Sequence, residues 1–180
     1  MRDLIKVIDE DEIDRKRIVL CGSMKVKDKI IETSNRLQKL GYITLLPVEC
    51  MQGLDKVIAS RAHFDRIADP ENDAVLIVNV EKNGIENYVG PNSFAEIAFA
   101  FYFNKKIFLL NDVYEPYRDE IVGWNAISLN NDLSKIANCF DKKENNTVKT
   151  ISKLRWYKPL VLRGFLIAFL RYFNYNNKYF

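Results

Sequence analysis

One acid stands in the otherwise apolar run that follows the turn in YVGPNSFAEIAFA, residues 88–100. It is Glu96, flanked by Phe94, Ala95, Ile97, Ala98, Phe99 and Ala100. An ionised carboxylate among such neighbours loses its water unless something specific compensates. Pro91 suits a first helical turn and Asn92 or Ser93 can cap it, which places Glu96 within about one turn of the helix start. Free N–H groups and the positive end of the helix dipole favour the ionised form there. A carboxylate so presented at a cleft is equipped to attack an anomeric carbon and form a covalent glycosyl intermediate. The alternative is an acid that only completes a helix cap.

A second stretch, CGSMK (21–25), offers an anion site. Gly22 and Ser23 supply backbone N–H groups and a hydroxyl at a helix start, and Lys25 adds a full positive charge, so a phosphate suits the position. The stretch lacks the glycine run and Lys-Ser/Thr pair of a Walker loop, and it is not the dinucleotide fingerprint. A glycine after a strand is also commonly just a turn. Asp65, in HFDRIADPEND, is the third candidate. It reaches the cleft, to hold a sugar hydroxyl or manage a leaving-group proton, if its helix begins near residue 60. A helix beginning near 54 carries it too far down, at about 1.5 Å per residue. The alternative for Asp65 is a solvated acid paired with Arg61 or Arg66. Tyr88 stands near the mouth, where it can stack on a base or sugar. His63 is the sole histidine and reads as packing against the sheet, which argues against a triad or metal cluster built on histidine. Asp73 falls before a strand, at the wrong end of the sheet for the cleft, and reads as structural.

The elements that must position these residues alternate in type. RIVLCGS (17–23), YITLLP (42–47), AVLIVNV (74–80) and KIFLLND (106–112) read as strands, with AISLN (126–130) a weak fifth. Between them VKDKIIETSNRLQKLG (26–41), IASRAHFDRIA (58–68) and the segment bearing Glu96 read as helices, stopped by Gly41, by Asp69-Pro70 and near Asn104. This alternation predicts a three-layer, doubly wound α/β domain of the flavodoxin or Rossmann type. Its five-stranded parallel sheet takes the order 2-1-3-4-5. In such a sheet ligands sit beyond the carboxyl ends of strands 1 and 3, where strand order reverses, and that rule selects the loops 21–25 and 79–96.

Composition sets the outer bounds. The chain has 180 residues, 48% apolar and 28% charged, which fits one well-buried domain and excludes general disorder. Cys21, Cys50 and Cys139 show no close Cys-Cys or Cys-His spacing, so neither a disulfide framework nor a zinc site is expected, and a reducing cytoplasm fits best. The N-terminal stretch is too acidic to read as a signal peptide. Residues 145–180 hold seven Lys or Arg, no acid and nine of the 22 aromatic residues. That shift sets a basic, helical tail over 141–180 apart from an α/β domain over 1–140. The longest uncharged run in the helical part of the tail is Gly164 to Leu170, far short of the roughly 20 residues a membrane span needs. The tail is expected to pack or make oligomer contacts in preference to lying on a membrane surface. No nucleic-acid-binding motif supports a nucleic acid partner.

Taken together, CGSMK at the end of a first strand, the aspartate of HFDRI eight residues before that of NDAVLIVN, and YVGPNSFAEIAFAFYFNKKIFLL resemble the nucleoside 2-deoxyribosyltransferase family, which includes the 2'-deoxynucleoside 5'-monophosphate N-glycosidases. The likeness covers about residues 17 to 112. It implies cleavage of an N-glycosidic bond of a nucleoside or nucleoside 5'-monophosphate, without cofactor or metal, by a cytoplasmic homo-oligomer. Glu96 matches the nucleophile and Asp65 the aspartate that assists at base or sugar. Gly22 and Ser23 match the phosphate loop, and Lys25 stands where monophosphate-specific members keep an arginine. Val19 replaces a tyrosine common early in strand 1, and Gly90 an Asp or Ser six residues before the nucleophile. Asn92 and Ser93 are then the candidates for the missing polar contacts. Two other readings follow from the same residues: a non-catalytic nucleotide-sensing module whose tail engages a partner or membrane, and an enzyme that cleaves NAD.

Overall fold

The computed structural model describes residues 15–47 and 55–141. The chain divides into the units Met1–Asn138 and Cys139–Phe180; the first holds the α/β fold, and the tail expected over 141–180 lies outside the described residues, Asp141 aside. The elements are β1 (Arg17–Cys21), α1 (Lys27–Lys39), β2 (Ile43–Leu45), α2 (Lys56–Ala68), β3 (Ala74–Ile77), α3 (Pro91–Tyr102), β4 (Lys106–Leu109), α4 (Arg118–Gly123), β5 (Ile127–Ser128) and α5 (Lys135–Asp141). Single 3-10 turns at Met24–Val26 and Glu115–Tyr117 lead into α1 and α4.

All five strands are parallel, in the order β2-β1-β3-β4-β5, with a helix between each successive pair. The doubly wound α/β expectation and its strand order are what the structure contains. The strands are shorter than their apolar runs: β3 ends at Ile77 although the run continues to Val80, because Val78 and the residues beyond it turn into the loop that carries the site. Val78 N still donates to Cys21 O at 2.8 Å, so β1 and β3 remain tied past their ends.

A parallel sheet covered on both faces must be apolar on both. Val19, Cys21, Val75, Ile77, Ile107 and Leu109 share one core cluster with Ile67 of α2, Ile97 and Ala100 of α3 and Ile121 of α4. Their neighbours in sequence, Ile18, Leu20, Leu76 and Phe108, alternate to the opposite side and are buried just as fully. Period-two alternation therefore aims Cys21, the last residue of β1, at the layer formed by α2 and α3.

The chain leaves β1 for β2 on one side and returns to β3 on the other, which opens the crevice at the carboxyl ends of β1 and β3. Buried Asn79 braces its far side. Its Nδ2 donates to Asp112 O at 2.7 Å, and its Oδ1 accepts from Asn111 N at 3.0 Å. At the opposite end of the sheet Asp73 Oδ2 accepts from Arg17 N at 2.8 Å and Oδ1 pairs with Lys16 at 3.2 Å, a structural role as expected. No helix among the described residues is long and apolar enough to cross a membrane.

Candidate active site at the strand-order reversal

The stretches that follow β1 and β3 meet at the crevice. After β1, Gly22 and Ser23 lead into the 3-10 turn, and Ser23 caps it, its side chain accepting from Lys25 N at 3.4 Å. After β3, Lys82–Ile85 closes a tight two-residue turn, with Lys82 N donating to Ile85 O at 3.0 Å and Ile85 N to Lys82 O at 3.1 Å. Asn83 and Gly84 take φ of 55° and 77°, the left-handed values that an Asn-Gly turn of this kind requires. The turn holds Lys82 Nζ 4.4 Å above the Tyr88 ring, and that ring packs over Gly90, where a β-carbon would lie 3.2 Å from Tyr88 Cε1. The chain then enters α3.

α3 begins at Pro91, and its N-cap is Gly90, without a side-chain cap. This corrects the expectation that Asn92 or Ser93 caps the helix: proline occupies the first helical position, so both lie inside the first turn and Glu96 falls in the second. At that spacing Asn92, Ser93 and Glu96 share one face, because residues three and four apart are neighbours on a helix. Ser93 is buried and the Glu96 side chain is 14% exposed.

A cavity of about 290 Å³ is lined by Gly22, Ser23, Lys25, Tyr88, Gly90, Asn92, Ser93 and Glu96, together with Met24, Lys56, Lys82 and Pro91. Every sequence-predicted site residue except Asp65 is thus brought together. A second cavity of about 210 Å³ shares Gly22, Asn92 and Glu96 with the first and is otherwise walled by Pro47, Ser60, His63, Phe64 and Ala95. The two differ in chemistry: one carries three lysines, the other proline, aromatic and imidazole surface. Glu96 stands at their junction.

Asp65 is not among the described residues lining either cavity, and it is exposed. Asp55 caps α2, its Oδ1 accepting from Val57 N at 2.8 Å and Ile58 N at 3.4 Å, so the helix starts at Lys56 and not near 60. Asp65 is then in the third turn. Two residues beyond His63, it has also swung roughly 200° around the axis, away from the stripe of Ala59, His63 and Ile67 that faces the core.

His63 is the site residue that sequence reasoning left to packing. Its Nε2 lies 3.4 Å from Glu96 Oε1 and 3.4 Å from Cys21 Sγ, with the side chain 5% exposed. Burial, reinforced by the nearby Arg66 charge, lowers its pKa to about 4, so the imidazole is neutral at pH 7. Burial likewise pushes the Cys21 thiol well up, and the Glu96 charge adds to the effect. The alignment of His63 with Ala59 and Ile67 on one stripe signals burial, which a histidine that only packs shares. Lys56 and Lys82 were missed because a lysine in a polar stretch looks like any solvated lysine.

The fold and site define a doubly wound α/β protein whose switch-point crevice joins a cationic lobe to an apolar one across a carboxylate. The chain matches no known family model and no curated protein.

Proposed function

We propose that the protein cleaves the N-glycosidic bond of a nucleoside or nucleoside 5'-monophosphate through a covalent glycosyl–Glu96 intermediate, as the resemblance to nucleoside 2-deoxyribosyltransferases implies. One observation carries the reading: Glu96 sits where the lobe of Lys25, Lys56 and Lys82 meets the lobe of His63, Phe64 and Pro47. A nucleotide is anionic at one end and flat and apolar at the other, and the bond joining sugar to base lies between. A ligand that fills both lobes therefore brings its anomeric carbon to the carboxylate.

In the first step a Glu96 oxygen bonds to the anomeric carbon, and the electrons of the carbon–nitrogen bond leave with the base, which takes a proton from solvent at the cleft mouth. In the second, water attacks the same carbon, the ester bond breaks, and Glu96 is regenerated with release of the sugar and one proton. A second base in place of that water gives transfer. Neutral His63 steadies the Glu96 carboxylate from the apolar side without adding a charge that would compete with the electrophilic carbon.

The test is release of free base, followed by chromatography, from a panel of ribo- and deoxyribonucleosides and their 5'-monophosphates, with and without an added free base. Absence of release across the panel defeats the proposal, and tight binding without turnover leaves a nucleotide-binding module instead. For a monophosphate substrate, Lys25→Ala and Lys82→Ala each raise KM about ten-fold, equivalent to about 1.4 kcal/mol, while leaving KM for the unphosphorylated nucleoside unchanged. Because these lysines border solvent, the difference shrinks as salt is added, which KM measured from low to high ionic strength reveals.

A further inference from the structure

The floor of the crevice brings a thiol, an imidazole and a carboxylate together from three separate elements. Cys21 ends β1, His63 lies in α2 and Glu96 in α3. Their ligand atoms fall within 4.8 Å of one another, and His63 Nε2 is 3.4 Å from both Cys21 Sγ and Glu96 Oε1. Zinc bonds of about 2.3 Å to sulfur, about 2.0–2.1 Å to nitrogen and about 2.0–2.2 Å to oxygen, set at tetrahedral angles, place nitrogen about 3.5 Å from sulfur and about 3.4 Å from oxygen. The two distances from His63 thus match two edges of a tetrahedral face before any ion is bound.

The donor set narrows the ion. One sulfur, one nitrogen and one oxygen suit a borderline-soft divalent cation and are poor for Mg²⁺ or Ca²⁺, which require several oxygens. Imidazole ligates in its neutral form, the form that burial enforces here. The arrangement is also open on one side. His63 and Glu96 line the smaller cavity while Cys21 lies buried behind them, so an ion enters through the cleft and keeps a free position toward it.

We propose that Cys21 Sγ, His63 Nε2 and Glu96 Oε1 form a three-ligand site for a zinc-type divalent cation, and that its occupation silences the N-glycosidic reaction by engaging the nucleophile. Binding exchanges the thiol proton for the metal, with the proton released to solvent. The site departs from the expectation that a lone histidine argues against a metal cluster, because a thiol and a carboxylate supply what further histidines would. Only the silencing rests on the proposed function; the metal site stands on its own geometry.

Co²⁺ titrated into the chelator-stripped full chain is the direct probe. The expected result is one equivalent bound, with visible tetrahedral bands and a near-ultraviolet thiolate-to-cobalt charge-transfer band, all displaced by one equivalent of Zn²⁺. Cys21→Ser abolishes the charge-transfer band. It weakens binding by more than the roughly 10–100-fold that loss of an outer hydrogen-bond partner of a ligand costs. His63→Gln removes stoichiometric binding, and Asp65→Asn, on the solvent face of α2, changes nothing. Circular dichroism establishes that each variant is folded, and the near-isosteric serine variant decides the matter if His63→Gln is not. A wild-type protein without the charge-transfer band, or a band that survives in Cys21→Ser, overturns the site. In the activity arm, one equivalent of Zn²⁺ stops base release by the wild type, a chelator restores it, and Cys21→Ser keeps turning over at the same Zn²⁺ concentration. A chain that binds Co²⁺ as described yet releases no base refutes the proposed function and not the site; a chain that turns over unchanged in Zn²⁺ refutes the silencing.

Discussion

Glu96→Gln is expected to lower base release by at least about a thousand-fold, the loss of some 4 kcal/mol of transition-state stabilisation. The amide keeps the shape of the side chain but has no anionic oxygen to bond to the sugar. Its effect on stability runs the other way. A half-buried charge beside the buried His63 and Cys21 is costly to hold out of water, so a neutral amide leaves the unfolding midpoint unchanged or raises it. Activity lost with stability retained is the pattern of a group kept for chemistry at the expense of the fold. Asp65→Asn is the contrast: from its exposed position it leaves the rate within about two-fold, as expected for a surface substitution remote from such features. Steady-state rates and urea melts of the two variants check both statements. An active Glu96→Gln, or one whose loss of rate tracks unfolding, removes Glu96 from the role of nucleophile.

How far the sequence discloses this site depends on whether a residue's partners are near it in the chain. The strand order follows from short apolar runs alternating with amphipathic helices, and the crevice follows from that order. Gly22, Ser23 and Lys25 lie in the stretch that follows β1 and Tyr88 to Glu96 in the stretch that enters α3, so topology alone brings two continuous segments together. His63 was illegible for the converse reason. Its sulfur partner is 42 residues away, its carboxylate partner lies on the next helix, and no local pattern separates it from a histidine that only packs. Asp65 was misplaced by a boundary. Asp55 starts α2 ahead of the apolar pattern that marks it, and the helical phase carries Asp65 to solvent while His63 turns inward. The cap of α3 was misread on the same scale, because Gly90 and Pro91 complete the helix entry before Asn92 and Ser93 are reached.

Acid should destabilise the metal-free protein through His63. Its pKa is about 4 in the fold against the ordinary 6.5 of an exposed imidazole, so between those values the unfolded chain binds the proton and the folded one does not. Where the unfolded state binds more protons, stability rises with pH. The contribution is therefore complete above pH 6.5, falls as pH drops toward 4, and loses nothing further below it. The interval corresponds to about 3 kcal/mol, undiminished by screening because the side chain is 5% exposed. Among the described residues, the Glu96 carboxylate from α3 and the Cys21 thiol from β1 lie against the imidazole, and the Arg66 charge acts on it from its own helix. Arg66 and burial hold the proton off. Glu96 alone would draw it on. Urea melts at pH 7 and pH 4.5 in the presence of chelator measure the difference, and His63→Gln, which cannot titrate, isolates it from the protonation of surface carboxylates in the same range. The wild type is expected to lose more stability than the variant over this interval. Parallel losses in the two proteins show that the imidazole takes up its proton without cost in the folded state, and that the Glu96 carboxylate receives it as an ion pair.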